Sequence, residues 1–308
     1  MALVDTDLTR DLVQARIQGR QSDTAGAVFK GLLVACLVVV LAALVALLIS
    51  VAPAGLEVFS VRGVSDFLLR PFSVRPEKAG VFQGIVGTVT CALLVAVVAF
   101  PMGVAAAVYL EEYAHDNWFT RIVNLVIRNL AGVPAIVYGL LGFALFVDGP
   151  FTGFTGGTTL LSTGLTLSIL VLPIVVITSA EAIRAVPSAL REGGYGVGAT
   201  RWEVTRTLVL PNAMGGMLTG TILGLARALG EAAPLFFMGA KTSIFSGGEW
   251  GDLRGDFTAL PMIISDWATR PATKWNGNTQ AAILVTLVLV LGINTVGIVL
   301  RNHFDKKR

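Results

Sequence analysis

"EAIRAVPSALREGGYGVGATRWEVTRTLVLP", residues 181–211, is too polar to cross a membrane and too patterned to be a slack linker. Ile183, Val186 and Leu190 recur at helical spacing, and Trp202, Thr205 and Val209 do so less regularly. Between the two patterns lies "GGYGVGAT", whose glycines permit a tight reversal. Pro211 stands where a following helix begins, a position at which its missing N–H does no harm. The segment therefore reads as a helix–turn–helix at a membrane surface, with an apolar run on either side.

Those runs extend through most of the chain. Of 308 residues, 54% are hydrophobic and 14% charged, with a mean hydropathy of +0.75. A soluble domain of this length needs more charged surface, so the composition points to an all-α integral membrane protein. Crossing about 30 Å of hydrocarbon takes roughly 20 apolar residues. Runs of that kind lie at 31–52, 84–109, 122–147, 159–182, 212–239 and 281–301, which predicts six spans. The first is longer than a signal-peptide core and follows some 30 mostly polar residues, so it reads as an uncleaved helix. Residues 1–30 read as a polar tail, 53–83 and 240–280 as the two long external connections, 84–301 as the core and 302–308 as a basic tail.

Of the 23 Lys and Arg residues, 13 fall on the side shared by both termini and 8 on the other. The short 148–158 connection has no basic residue, so both termini are expected to be cytoplasmic. Cys36 and Cys91 lie within spans, and a lone thiol there acts as a small apolar side chain. No Cys/His grouping suggests a metal, and no aromatic-basic groove suggests nucleic acid. A basic pI of about 9.0 suits an anionic lipid surface. No G-x-x-x-x-G-K-[ST] run is present, so the chain cannot hydrolyse ATP by a P-loop on its own, and any energy input must come from an ion gradient or a partner subunit. No internal repeat supports an inverted-repeat secondary transporter.

The fifth apolar run holds a second unusual stretch, "ARALGEAAP" (226–234). An arginine at a bilayer centre costs about 2.5–3.5 kcal/mol on insertion scales. Arg227 and Glu231 are four apart, so on a helix they share a face and can pair. Gly216, Gly220 and Gly224 form a small-residue ridge on the same helix, and the charged pair continues that face. Arg128 sits just inside the third span and is suited to snorkelling; Arg184 opens the polar segment. Pro101, Pro134 and Pro173 interrupt spans two, three and four as packing kinks. Asn129 and Tyr138 are polar groups in the third span.

Residues 192–211 resemble the E-A-A-x3-G-x9-I-x-L-P loop of ABC importer permeases. Glu192 matches the acid, Gly198 the fixed glycine, Leu208 the aliphatic position, and Leu210 and Pro211 the closing pair. "FPMGVAAAVYLEEYA" (100–114), "NLAGVPAIVYGLLG" (129–142), "ARALGEAAPLFF" (226–237) and "TALPMIISDWATRP" (258–271) are similar to the PstA family of phosphate permeases. The resemblance covers roughly 79–301 and implies the type I importer permease (MetI-like) fold. It also implies a second, PstC-like permease, two copies of a PstB-like ATPase that binds ATP and Mg, and an external PstS-like protein delivering inorganic phosphate. Glu192 to Gly198 would then be the coupling helix that enters the ATPase. Gly193 and Gly194 replace the family's two alanines, and glycine costs roughly 1 kcal/mol in a helix interior, so that helix is expected to be shorter or more bent.

On this resemblance two readings of the charged pair stay open. One is mutual neutralisation of Arg227 and Glu231 at a helix interface. In the other, Arg227 lines the pathway where two permeases meet and binds the oxyanion, while Glu231 accepts a hydrogen bond from a protonated phosphate. Arg128 and Arg184 are further pathway candidates. Alternatives for the whole chain are a permease for sulfate, molybdate or phosphonate, and, in another class, an ion-gradient-coupled anion transporter.

Overall fold

The computed structural model describes residues 24–240 and 250–305. Most of the expected N-terminal tail, part of the second long connection and the end of the basic C-terminal tail lie outside those residues. Twelve helices are numbered here in chain order: α1 Thr24–Arg62, α2 Val64–Leu69, α3 Phe82–Tyr113, α4 Trp118–Ala131, α5 Ala135–Val147, α6 Thr152–Thr155, α7 Leu160–Arg184, α8 Ser188–Gly196, α9 Arg201–Gly230, α10 Ala233–Phe237, α11 Leu260–Thr269 and α12 Ala272–Asp305. Among the described residues the fold is all-helical, as the composition predicts.

Five helices (α1, α3, α7, α9 and α12) are long and apolar enough to cross a membrane, and the bent pair α4–α5 makes a sixth span if counted as one. The difference from six plain spans lies in the 122–147 run. It is two helices meeting at 104°, so Pro134 marks a break and not a mild kink. Pro134 cannot donate a backbone hydrogen bond and disfavours helical geometry at Val133, and its own ψ of 137° is extended.

The 212–239 run is also interrupted. Helix α9 starts at Arg201 and stops at Gly230; Glu231 is extended (φ −88°, ψ 111°) and α10 follows with Pro234 in its first turn. Arg227 thus sits in the last turn of a 30-residue helix, not at its middle. At the other end of α9, Pro211 lies inside one continuous helix instead of opening a new one. The turn Thr205–Val209 is π-type, with the Leu210 N–H reaching back to the Thr205 carbonyl, and this widened turn admits the proline ring.

Helix α1 runs from Thr24 to Arg62, ten residues past the apolar run at 31–52, so the first third of the expected 53–83 connection is helical. Its part up to Ser50 is a separate unit, apolar all round, with side chains such as Val28, Leu37 and Ile49 exposed. Residues 51–305 form the compact body. There Gly55 approaches α12 closely: an added β-carbon would stand 2.6 Å from Leu284.

The most enclosed element is α7, with two thirds of its apolar window buried. Helices α3 and α9 pack on it through small residues. An added β-carbon on Gly103 would come 2.6 Å from Val175, and those on Gly216 and Gly224 would come 2.5 Å from Ala182 and Val171. At Gly220 it would overlap Thr178. The Gly216–Gly220–Gly224 ridge therefore seats α9 on α7 of the same chain and is not the face left for a partner permease. Sequence periodicity marks a close-packing face but not which helix fills it. Ser and Thr residues on α7 are buried at low cost because their hydroxyls donate to carbonyls one turn back: Thr163 to Thr159, Thr166 to Ser162 and Ser168 to Gly164, at 2.7–3.0 Å.

Phe67, Phe72, Trp267 and Trp275 build a separate aromatic cluster from α2 and the connection after it, α11 and α12. Arg62 closes it, donating to the Pro76 and Ala79 carbonyls (3.1 and 2.8 Å) and to Asn278 Oδ1 (3.3 Å), with its guanidinium 5.5 Å from the Phe67 ring centre. Hydrogen bonds to a charged group contribute about 1.5–3 kcal/mol, and the three here share one partly buried guanidinium and do not add. Arg62→Ala is expected to lower the unfolding free energy by about 2 kcal/mol, seen as a fall in melting temperature of the detergent-purified chain.

Candidate permeation and coupling site

Two interrupted helices lie side by side. Gly139 in α5 lets α10 approach so closely that an added β-carbon would be 2.8 Å from the Pro234 Cα. Backbone that leaves the helix at membrane depth is tolerated where other protein groups satisfy it or where it lines a cavity. Here the freed carbonyls at the end of α4 find partners. The Tyr138 hydroxyl donates to Leu130 O at 2.8 Å, and Arg227 Nη1 lies 3.5 Å from Ala131 O. A cation at a helix C-terminus also meets the negative end of its dipole. Tyr138 thus closes the end of α4 across the break.

Arg227 and Glu231 do pair, although Glu231 stands outside the helix. Nε to Oε1 is 3.5 Å, and the side chains are 36% and 27% exposed. That spacing is longer than an ordinary N–H···O bond, so the fork of Arg227 is held loosely on both sides. The other arginines differ. Arg184 donates through Nε to Glu111 Oε2 at 2.7 Å and through Nη2 to Oε1, so its fork is occupied by a bidentate carboxylate. Arg128 lies exposed in the last turn of α4, a helix with no buried residue. The structure brings Arg227 and Glu231 together at the end of α4, whose last turn also carries Arg128, and holds Arg184 on Glu111 instead.

The 181–211 segment is the helix–turn–helix expected. Helix α8 keeps nine residues with Gly193 and Gly194 inside it, so the two glycines do not cut it short. They are not equivalent. Gly193 faces open space, whereas an added β-carbon on Gly194 would come 2.8 Å from Val204 and 3.0 Å from Leu208, so Leu208 is part of the seat of α8 on α9. Gly198 has φ +83°, the left-handed geometry that ends α8 and turns the chain, with Gly198 N donating to Tyr195 O and Ala199 N to Gly194 O. Thr200 then caps α9 in a reciprocal box with Glu203. Ile183, Val186, Val204 and Val209 are buried beneath the segment. Glu192 is exposed on α8. Around it Tyr195, Val197 and Trp202 present 44%, 85% and 56% of their surface, an apolar tip left exposed among the described residues.

Three side chains carry weight here that sequence reasoning passed over: Glu111, Glu112 and Arg191. Glu112 is 5% exposed and receives Arg191 at 2.8 and 3.1 Å. The signal was available in "YLEEY", two adjacent acids at the end of an apolar helix, but their partners are more than 70 residues away.

The arrangement is an α-helical membrane body with broken helices and a structured polar segment whose apolar tip is uncovered. Residues 99–308 match the family model described as binding-protein-dependent transport system inner membrane component. The chain belongs to that family. It is the permease component of an ABC importer, placed in the inner membrane. The permease is 35% identical over 231 residues to the phosphate transport system permease protein PstA of Mycobacterium leprae, covering 74% of this chain and 73% of the relative. It is 34% identical over 286 residues to the "Probable ABC transporter permease protein YqgH" of Bacillus subtilis, covering 90% of each. Among solved structures, a bacterial alginate ABC transporter in complex with its pentasaccharide-bound periplasmic protein superposes with a TM-score of 0.62 at 16% identity, covering 88% of this chain and 92% of that one. That likeness supports the type I importer fold alone.

Proposed function

We propose that this permease carries inorganic phosphate, as half of a pathway completed by a second, PstC-like permease. Two PstB-like ATPases supply ATP and Mg²⁺ chemistry, and an external PstS-like protein delivers the anion. The observation that carries the proposal is the loose hold on Arg227: its ion pair with Glu231 and its contact with the Ala131 carbonyl are both at 3.5 Å. A guanidinium fork matches phosphate oxygens and stays charged when buried, so an arriving oxyanion gains more from it than the protein gives up. The similarity to PstA proteins in several bacteria supports the same substrate.

Coupling follows from the apolar tip. Tyr195, Val197 and Trp202 around Glu192 form a knob suited to a groove in an ATPase, and Gly193, Gly194, Gly198, Leu210 and Pro211 shape the turn and helix that carry it. Closure of the ATPases on ATP would then move α8 and re-expose the pathway.

Glu231 adds selectivity. A phosphate that keeps a proton donates to the carboxylate, whereas fully ionised sulfate has none to give and is repelled. In transporters reconstituted with all partners, Glu231→Gln is expected to lower the preference for phosphate over sulfate by at least about tenfold, the worth of one charge-assisted hydrogen bond. Competition uptake measures it, and an unchanged preference would refute this role. Faster sulfate than phosphate uptake by the parent complex would move the substrate to another oxyanion, and uptake driven by a gradient without ATP would overturn the ATP-driven scheme.

A further inference from the structure

The C-terminal turn of α3, Tyr109–Tyr113, is π-type, and three arginines from the polar segment converge on it. Arg184, the last residue of α7, forks onto Glu111. Arg191, in α8, binds Glu112 through Nε and Nη2. Arg201, the first residue of α9, places its guanidinium 5.2 Å from the centre of the Tyr113 ring. Each of the three helices joined by the polar segment thus docks one cation on the same five residues.

Arg191 is the most committed of the three. It also donates to Ile183 O at 2.9 Å, in the last turn of α7, and to Val186 O at 2.7 Å, just past its end. Its side chain is 21% exposed and that of Glu112 is 6% exposed. One side chain therefore joins α8 to the end of α3 and to the end of α7 at once. A buried carboxylate that loses the cation paired with it is left uncompensated, so the join resists being pulled apart. The extra residue of a π-type turn is a frequent feature of functional sites in helices.

Resting on the permease reading above, we infer that Tyr109–Tyr113 is the socket through which displacement of α8 reaches α3 and α7. Arg191 and Glu112 are its positioning pair: neither touches the anion or ATP. Gly193 and Gly196, which face open space, leave the tip of α8 free to adjust on a partner, while the root of the helix is fixed through Arg191. Motion imposed at the tip is delivered at the root.

The test uses the complete transporter in proteoliposomes, with ATP hydrolysis and phosphate uptake measured on the same preparation. Arg191→Ala is expected to keep the ATPase bound and hydrolysing within about twofold of the parent while uptake per ATP hydrolysed falls at least tenfold. Arg191→Lys, which keeps the charge but not the fork, is expected to recover part of that ratio, and Glu112→Gln, close in shape, to fall between. An unchanged ratio, or hydrolysis and uptake falling together in an assembled complex, would overturn the inference. A second measurement does not depend on transport. In the full-length chain in detergent, Arg191→Ala should speed amide hydrogen exchange in both 109–113 and 183–197, and unchanged exchange in 109–113 refutes the socket whatever the uptake shows. A parent complex with no ATP-driven uptake, by contrast, refutes the permease proposal and not the socket.

Discussion

Arg227→Ala is expected to lower phosphate uptake by at least about a hundredfold while the chain stays folded and bound to its ATPase. Two features set these two halves of the expectation. The contacts Arg227 makes in the protein are both at 3.5 Å, so losing them removes little from the fold. A phosphate seated on the guanidinium would lose a bidentate, charge-assisted contact in a partly dry site. Truncating one partner of a buried charge pair costs about 2–5 kcal/mol, and 1.4 kcal/mol is a factor of ten, so a hundredfold loss lies at the lower end of that range. Arg227→Lys keeps the charge without the planar fork and is expected to be intermediate, about tenfold below the parent. Radiolabelled phosphate uptake, scaled to the amount of bound ATPase, measures both. If Arg227→Ala transports as well as the parent, Arg227 is only a cap on the end of α4 and the anion passes elsewhere.

The largest structural effect is expected at Gly220. A β-carbon there overlaps Thr178, on the most enclosed helix of the body. Neither backbone can retreat easily, because Gly216 and Gly224 hold α9 against Ala182 and Val171 on either side. Gly220→Val should destabilise the chain by about 3 kcal/mol or more, at the upper end of the range for overpacked cores. It should appear as loss of monodisperse protein in mild detergent and a lower melting temperature. Removing the opposing atoms with Thr178→Gly in the same chain should restore a good part of the loss, the sign of a direct contact in a double-mutant cycle. Gly292→Val is the control: nothing lies within 4 Å of an added β-carbon there, so it should be close to neutral. Equal effects at 220 and 292 would show that the ridge does not seat α9 on α7.

The 181–211 segment was legible because its signals are local. Buried Ile183, Val186, Thr205 and Val209 stand where the periodicity put them, while Leu190 and Trp202 of the same two patterns are exposed, and Gly198 occupies the left-handed turn that only glycine adopts readily. The apolar runs were legible for the same reason, since hydropathy is summed over neighbouring residues. Glu231 shows the limit. Four-residue spacing placed it on a helical face with Arg227, and the pair forms, but the helix ends one residue earlier. Gly230 and Pro234 hinted at that end; the contact of α10 with Gly139 made it a break packed against another break.

By itself, the sequence determined that this chain is an all-helical membrane protein with a structured polar segment near its centre, because length, hydropathy, caps and glycine turns act within a few residues. Only the tertiary structure decided that the glycine ridge faces α7, that the third run bends by 104°, and that Arg184, Arg191 and Arg201 meet one turn of α3. Each of these joins residues far apart in the chain. The free energy that selects them comes from close packing and from pairing of buried charge, neither of which exists until the helices are side by side.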